Sequence, residues 1–240
     1  MTEHISRKEL KQDKIKETLE HGAEAVISHA QFAGVLAAVI LVLALIYGGW
    51  RFYIDRQTGQ ASVAFNAAMK AFQGRIGTAP DPSDPSERAY RDENARVQDA
   101  LTKFTNTATK YPSTNPGRLA RYYAAICLED LERQNQALEE LKKISGSSDK
   151  ELASLAQYQT AIIYSRTGKT DDAVKLFRAL ADKPSTVVPR PFVLLELASV
   201  LRASKPNEAA TIYQQIKKEF PDTPLAEQAD RGLDSISPKS

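Results

Sequence analysis

Apolar and polar positions divide the chain into three stretches with different patterns. Residues 1–29 mix basic and acidic side chains, with apolar residues at roughly helical spacing. Residues 30–50 are almost entirely apolar and uncharged, and a helix of that length covers the roughly 30 Å hydrocarbon core of a bilayer. Residues 51–240 are of mixed polarity, with apolar positions three or four residues apart. The pattern predicts an all-α protein with a helical N-terminal segment, one transmembrane helix and a helical domain.

The uncharged stretch is interpreted as a signal-anchor helix. Its apolar run is longer than the roughly 7–15 residues of a cleaved signal peptide, and Tyr47–Arg51 is too bulky for a cleavage site. A buried core helix is the alternative, but such a helix seldom lacks charge over so many positions. Aromatic and basic side chains at the end of the stretch are typical of a membrane interface. The predicted interface residues are Tyr47, Trp50, Arg51 and Tyr53.

Basic residues favour a cytoplasmic N-terminus. Five of them precede the apolar stretch, namely Arg7, Lys8, Lys11, Lys14 and Lys16. Three follow it within residues 51–70, namely Arg51, Arg56 and Lys70. Positive residues tend to stay on the cytoplasmic side of a membrane. We therefore expect the segment 1–29 in the cytoplasm and the domain 51–240 on the other side.

A longer period is superimposed on the helical one. Four segments align on an alanine, at Ala100, Ala137, Ala173 and Ala209, in steps of 36 or 37 residues. Four positions after each alanine comes a large apolar residue: Phe104, Leu141, Phe177 and Tyr213. This spacing places both residues on one face of a helix. Twelve residues before the last three alanines stand Ala125, Ala161 and Leu197. We therefore expect each alanine-bearing helix to be preceded by another helix that packs closely against it.

Prolines and polar residues mark the predicted helix boundaries. Proline lacks an N–H donor and disfavours helix in the residue before it, so helices should stop at Pro112, Pro184 and Pro221. The predicted helix starts are Asn135, Thr170 and Pro206. Residues 74–87 are rich in Gly, Pro and Ser, and we expect a nonhelical loop inside the first helix pair. A free tether is the alternative.

These helix pairs of about 36 residues, with small residues facing each other, resemble the tetratricopeptide repeat over residues 94–235. The resemblance implies an α-solenoid of three helix pairs, with an extra helix before them and a short capping helix over Pro224–Leu233. A generic helical bundle is the alternative, but nothing in a bundle requires the same long period in successive pairs. The resemblance also implies an inner groove that is lined mainly by the first helix of each pair.

Candidate groove residues follow from the resemblance. Ala125, Ala161 and Leu197 are taken as the eighth position of each repeat, and the fifth, ninth and thirteenth positions then line the groove. The candidate partner-binding residues are Tyr122, Ile126, Tyr158, Ile162, Arg166, Leu194 and Arg202. Tyrosine with nearby arginine is typical of binding hot spots. The alternative is that Tyr122 and Tyr158 only pack between repeats.

Little in the sequence points to catalysis. The three histidines, His4, His21 and His29, all precede the apolar run, and Cys127 is the single cysteine. The domain 51–240 therefore lacks the residues of Ser-His-Asp, Cys-His and Cys/His zinc sites. No glycine-rich phosphate loop occurs either. We expect no enzyme activity, no cofactor and no metal.

Charge is balanced along the chain. Lys and Arg number 32 against 30 Asp and Glu, for a net charge of +2, and the basic residues of the domain 51–240 do not cluster in sequence. This composition argues against a nucleic-acid partner. Adjacent carboxylates, such as Glu129 with Asp130 and Glu139 with Glu140, are expected to be solvated on helix surfaces.

The whole arrangement resembles one bacterial family. EHGAEAVISHAQFAGVLAAVILVLALIYGGWRFYIDRQTGQASVAFNAAM, residues 20–69, is similar to the single-span ancillary subunits of the SecYEG translocon. The resemblance implies a single-pass protein of the bacterial inner membrane with a periplasmic repeat domain. It also implies protein partners, namely translocon subunits, chaperones or exported chains. Two alternatives are an envelope scaffold for cell division or cell-wall assembly and a subunit that forms homo-oligomers through its span or N-terminal helix.

Overall fold

Two compact units make up the chain, residues 1–56 and residues 57–240. The computed structural model describes residues 7–77 and 89–236, with side chains from residue 34 onward. Helices dominate these residues, which confirms the all-α prediction. Helix α1, Arg7–Phe72, runs through the described part of the first unit, and its last turns, from residue 57 onward, belong to the second unit.

Helix α1 continues through both predicted segment boundaries. It has no end near residue 29 or residue 50, and Gly48 and Gly49 lie inside it. Its large apolar side chains from Val35 to Tyr53 are 48–69% exposed. Among the described residues, one stretch, Gly34–Phe72, is long and apolar enough to cross a membrane. Membrane anchoring itself stays a prediction.

The second unit contains the last turns of α1 and the helices that follow it. Those helices are α2 (Glu93–Lys110), α3 (Asn115–Asp130), α4 (Gln134–Ser145), α5 (Lys150–Arg166), α6 (Thr170–Asp182), α7 (Arg190–Leu201), α8 (Pro206–Glu219) and α9 (Pro224–Ile236). From α2 onward each helix packs against the next one in the chain. The three predicted pairs are α3/α4, α5/α6 and α7/α8. Helix α9 is the predicted capping helix and ends at Ile236 rather than Leu233.

Helix α2, the predicted extra helix, packs against the last turns of α1. Phe65, Phe72, Phe104 and Tyr123 form an aromatic cluster with ring centroids 5.3–6.1 Å apart. The Arg96 guanidinium donates a hydrogen bond to the Phe72 carbonyl oxygen. These contacts tie the end of α1 to the repeat array.

Two short strands occur at the predicted loop 74–87, one inside its first residues and one just after its end. β1 (Arg75–Ile76) and β2 (Ala89–Tyr90) pair in parallel, and the loop residues between 78 and 87 lie outside the described residues. The Tyr90 hydroxyl donates to the Asp99 carboxylate at 2.5 Å and holds β2 against α2. The sequence did not predict these strands, because two residues are too few for an alternating pattern.

The aligned alanines lie on the buried faces of their helices. Ala100, Ala137, Ala173 and Ala209 are all 0% exposed. The apolar residues four positions later are Phe104, Leu141, Phe177 and Tyr213, each at most 3% exposed. The alignment behind the long period is therefore confirmed. Each large apolar side chain contributes about 1.5–3 kcal/mol to the free energy of folding, because it is transferred from water to the core.

Three helices end just before a proline, as predicted. Helices α2, α6 and α8 stop before Tyr111, Lys183 and Phe220, and a proline follows each of these residues. Helices α6 and α8 also begin at the predicted residues, Thr170 and Pro206, whereas α4 begins one residue before Asn135.

The helix caps differ from the prediction. Basic residues precede α4, α6 and α8, namely Arg133, Lys169 and Lys205, and their side chains make no capping bond. The carbonyl oxygen of each accepts the N–H of the aligned alanine at 3.1 Å, which is the first backbone bond of the helix. Side-chain caps occur at helices where the sequence analysis proposed none, through Asp92, Thr114 and Asp149.

The third pair is shifted by one residue relative to the second. Ala198, rather than Leu197, takes the fully buried small position that Ala125 and Ala161 occupy. The loop before α7 covers residues 183–189, whereas the loop before α5 covers only 146–149. The longer connection moves α7 along by one residue.

The turn after α7 compensates for the shift. The N–H of Lys205 bonds to the carbonyl of Leu201, four residues back, at 2.7 Å. In the second pair the N–H of Lys169 bonds five residues back, to Tyr164. The shorter turn keeps the alanine of α8 in step with those before it.

Candidate protein-binding groove

Tyr122 and Tyr158 line one cavity between the first helices of successive pairs. The cavity has a volume of about 270 Å³ and lies between α3, α5, α7 and the loop before α7. Its other lining residues are Leu155, Val187, Val188, Pro189 and Phe192, and none of the seven is charged. The structure thus brings two predicted residues together and adds five that the sequence analysis missed.

Each of the two tyrosines packs against a neighbouring aromatic ring and also lines the cavity. The Tyr158 ring stands edge-on to Phe177 with centroids 5.9 Å apart, and Tyr122 stands edge-on to Tyr123 at 5.5 Å. Burial raises the pKa of each hydroxyl to about 12, with smaller contributions from Tyr123 at Tyr122 and from Glu196 at Tyr158. At neutral pH both hydroxyls are therefore uncharged hydrogen-bond donors and acceptors.

The loop between α6 and α7 forms the wall of the cavity. The Val187 N–H donates to the Glu151 carboxylate at 3.1 Å, which holds the loop against α5. Val187 and Phe192 are 45% and 49% exposed. Among the described residues after α1, Ile76 is the only other large apolar side chain with such exposure. Exposed apolar surface in the repeat array is therefore concentrated at this cavity.

Leu194 does not line the groove. Its side chain is 4% exposed and belongs to the core around Phe177, so that part of the prediction is wrong. The one-residue shift of α7 explains the error, because it puts Leu195 in the position that Tyr122 and Tyr158 occupy on their own helices. Leu195 is partly buried and lines a neighbouring cavity.

The other candidates lie in different environments, and their binding role stays a prediction. Ile126 and Ile162 are half-buried on α3 and α5. Arg202 lines a second cavity of about 400 Å³, together with Glu196 and Arg231. Its guanidinium donates to the Ser235 hydroxyl at 3.2 Å, and burial raises the pKa of the Glu196 carboxyl. This end of the first-helix surface is polar, whereas the tyrosine cavity is apolar.

Glu129 is not the solvated surface residue that was expected. It is 7% exposed and accepts hydrogen bonds from the Arg166 guanidinium and the Gln159 amide. These bonds connect α3 to α5 beside the groove. Arg166 remains 63% exposed at its side chain, so the pair leaves much of the guanidinium accessible.

The predicted membrane-interface residues occupy neighbouring turns of α1. The rings of Tyr47 and Trp50 have centroids 6.4 Å apart, and the Arg51 Nε atom lies 3.3 Å from the Asp55 carboxylate. Tyr53 is exposed on the following turn. Their assignment to an interface stays a prediction.

Comparisons with known proteins agree with this architecture. A family model described as a tetratricopeptide repeat-like domain matches residues 29–185, and a tetratricopeptide repeat model matches residues 192–223. No curated protein sequence matches the chain.

Two crystal structures of nearly identical TPR-like repeats from Podosopora anserina, from a protein described as a kinesin light chain, are similar in fold. One is 14% identical, with a TM-score of 0.56, and the match covers 75% of this chain and 86% of that one. The other, a point variant, is 15% identical, with a TM-score of 0.55 and coverages of 75% and 85%. At these identities the likeness concerns the fold alone.

The matched families define the general class of the protein. Repeat domains of this kind are typically non-catalytic scaffolds for protein–protein interaction, and neither match indicates an enzyme family. The first model alone covers more than half of the sequence. The chain belongs to the tetratricopeptide repeat-like domain family.

Proposed function

We propose that this protein is a membrane-anchored scaffold that binds exposed apolar segments of other proteins at the Tyr122/Tyr158 cavity. The observation that carries the proposal is the uncharged lining of an open cavity with Phe192 exposed at its rim. A large apolar side chain gains about 1.5–3 kcal/mol when it leaves water for such a site. A charged side chain would lose its hydration there without a counter-charge. The occupant is therefore an extended segment with an apolar side chain.

Helix α1 supports the anchoring. Its stretch from Val35 to Ile46 contains no charged residue and packs against nothing among the described residues, so the large apolar side chains are exposed to the surroundings. In water this surface would favour aggregation, whereas in a bilayer it is satisfied. The family match also begins at residue 29 and so includes this stretch.

We further propose that the scaffold lies beside the Sec translocon of a bacterial inner membrane, with the repeat domain in the periplasm. The support is the resemblance of residues 20–69 to single-span translocon subunits, together with the basic residues before the span. Chains that leave a translocon are unfolded and expose apolar side chains, which matches the chemistry of the tyrosine cavity. Translocon subunits and periplasmic chaperones are the other proposed partners.

Binding of a permanently unfolded chain tests the cavity. The full-length protein in detergent is titrated with a fluorescent, reduced and alkylated secretory protein. Tyr158→Ala should weaken binding about tenfold or more, because it removes a central aromatic contact. Tyr164→Ala is the matched control, since this half-buried tyrosine of the same helix lines a different cavity. Equal affinity of the two folded variants would contradict the proposal.

A further inference from the structure

A separate, basic cavity lies where α3 begins and α4 ends. Its volume is about 480 Å³, and its charged lining residues are Arg118, Arg121, Lys142 and Lys143. Pro112, Ile144, Gly146 and Ser147 complete the lining, so no acidic residue lines it. Arg118 and Arg121 lie on α3, whereas Lys142 and Lys143 lie on α4, so the two basic pairs meet only because the two helices are paired. None of them lines the tyrosine cavity.

The positive charge of this cavity is only partly compensated. Glu140 is shared between Arg121, at 2.7 Å, and Lys143, at 2.6 Å. The Arg118 guanidinium donates only to uncharged oxygen atoms, at 2.9 and 3.0 Å, and its buried Nε atom has no acceptor among the described residues. Lys142 makes no ion pair within the described part of the chain. Two cations therefore face the cavity without a carboxylate.

The third helix pair contains a related arrangement in which an arginine does have a carboxylate partner. The motif Pro-Ser-Thr-x-x-x-Arg ends at Arg118 and again, 72 residues later, at Arg190. Arg190 forms an ion pair with Glu219, which also accepts a hydrogen bond from Gln215 at 2.7 Å. Glu219 lies as far after the aligned alanine Ala209 as Ser147 lies after Ala137, so the two residues occupy corresponding positions of the repeat. The first pair thus has a serine at the position where the third pair has this carboxylate.

We propose that the basic cavity binds a carboxylate from an acidic segment of a protein partner, in the place that Glu219 takes in the third pair. The fixed guanidinium of Arg118 can donate to such a group, and Lys142 adds a mobile charge at the rim. A protein carboxylate is favoured as the occupant because the internal counterpart is one and because the repeat domain is a protein-binding scaffold. The inference is independent of the tyrosine cavity and of the translocon.

A self-occluding variant tests the proposal. The full-length protein in detergent is titrated with a hexaglutamate peptide, and hexaglutamine serves as the uncharged comparison. Ser147→Glu supplies the carboxylate that the third pair already has, and it should weaken hexaglutamate binding about tenfold or more. Ser148→Glu adds the same charge at the exposed neighbouring position, which does not line the cavity, and should weaken binding less than about threefold.

Two further readouts separate the occupants. Lys142→Gln should weaken hexaglutamate binding and reduce its dependence on salt. Equal affinity of the two serine variants, or equal binding of hexaglutamate and hexaglutamine, would overturn the proposal. So would binding of inorganic phosphate or of vesicles with anionic phospholipid that Ser147→Glu abolishes while hexaglutamate does not bind at all.

Discussion

At the scale of single residues, the turn between α3 and α4 contains a strained position. Glu132 has a φ of 58°, and its counterpart in the next pair is Gly168, with a φ of 78°. In both turns the following N–H reaches five residues back, as from Arg133 to Leu128 at 2.8 Å. Glycine adopts this left-handed conformation freely, whereas a residue with a side chain is destabilised by about 1–2 kcal/mol.

Replacing this glutamate by glycine should therefore stabilise the protein. Glu132→Gly is expected to raise the free energy of unfolding by about 0.5–1 kcal/mol, measured by urea denaturation in detergent. Glu139→Gly, in the interior of α4, is the matched control and should lower it by about 1 kcal/mol. A loss of stability in both variants would show that the turn is not strained at Glu132.

Predictability at this scale depends on whether a residue interacts locally. The buried alanines and their apolar partners could be predicted, because they belong to one helix and its period. The burial of Glu129 could not, because its partner Arg166 lies on the next repeat. Local sequence contains no signal for such a pair, and an isolated carboxylate is usually solvated.

At the scale of elements, the connection from α2 to α3 depends on a close approach of two backbones. The Tyr111 carbonyl accepts bonds from the Thr114 N–H and hydroxyl, at 3.1 and 2.9 Å. The same hydroxyl accepts the N–H of Gly117 at 3.1 Å and so caps α3. A Cβ atom at Gly117 would collide with the Tyr111 carbonyl oxygen.

A methyl group at this glycine should loosen the connection. Gly117→Ala is expected to lower the free energy of unfolding by about 1–3 kcal/mol, because the backbone of Tyr111 must move. Gly146→Ala, at the end of α4, has no atom within 4 Å of the added Cβ and should change stability by less than about 0.5 kcal/mol. Thermal unfolding monitored by circular dichroism compares the two variants. Equal melting temperatures would contradict the close approach.

Helices were predictable as elements, but the register of α7 was not. Its sequence, RPFVLLELASVL, is apolar around most of the helix, so the period gives no single buried face. The long loop before α7 and the short turn after it determine that Ala198, rather than Leu197, occupies the small buried position.

At the scale of the whole molecule, architecture and cavities differ in how they are encoded. The apolar helix and the repeat array follow from periods that run along the chain. The tyrosine cavity arises between successive repeats, from residues about 36 positions apart and from the long loop before α7, whereas the basic cavity lies within one helix pair, between residues 112–121 and residues 142–147. The long loop before α7 forms the wall of the tyrosine cavity, and the basic cavity has Ser147 where the third pair has Glu219.

The proposed function requires that an anchored repeat domain receives exported chains at the tyrosine cavity. The most direct test is site-specific photo-crosslinking in intact bacterial membranes, with a photoreactive phenylalanine in place of Phe192 and, as the control, in place of the exposed Val63 of α1. Protease treatment from each side locates the domain. The account predicts adducts with exported chains or translocon subunits from position 192 only, on a domain accessible from the periplasm. Adducts with division or cell-wall proteins alone, or a domain accessible only from the cytoplasm, would contradict it.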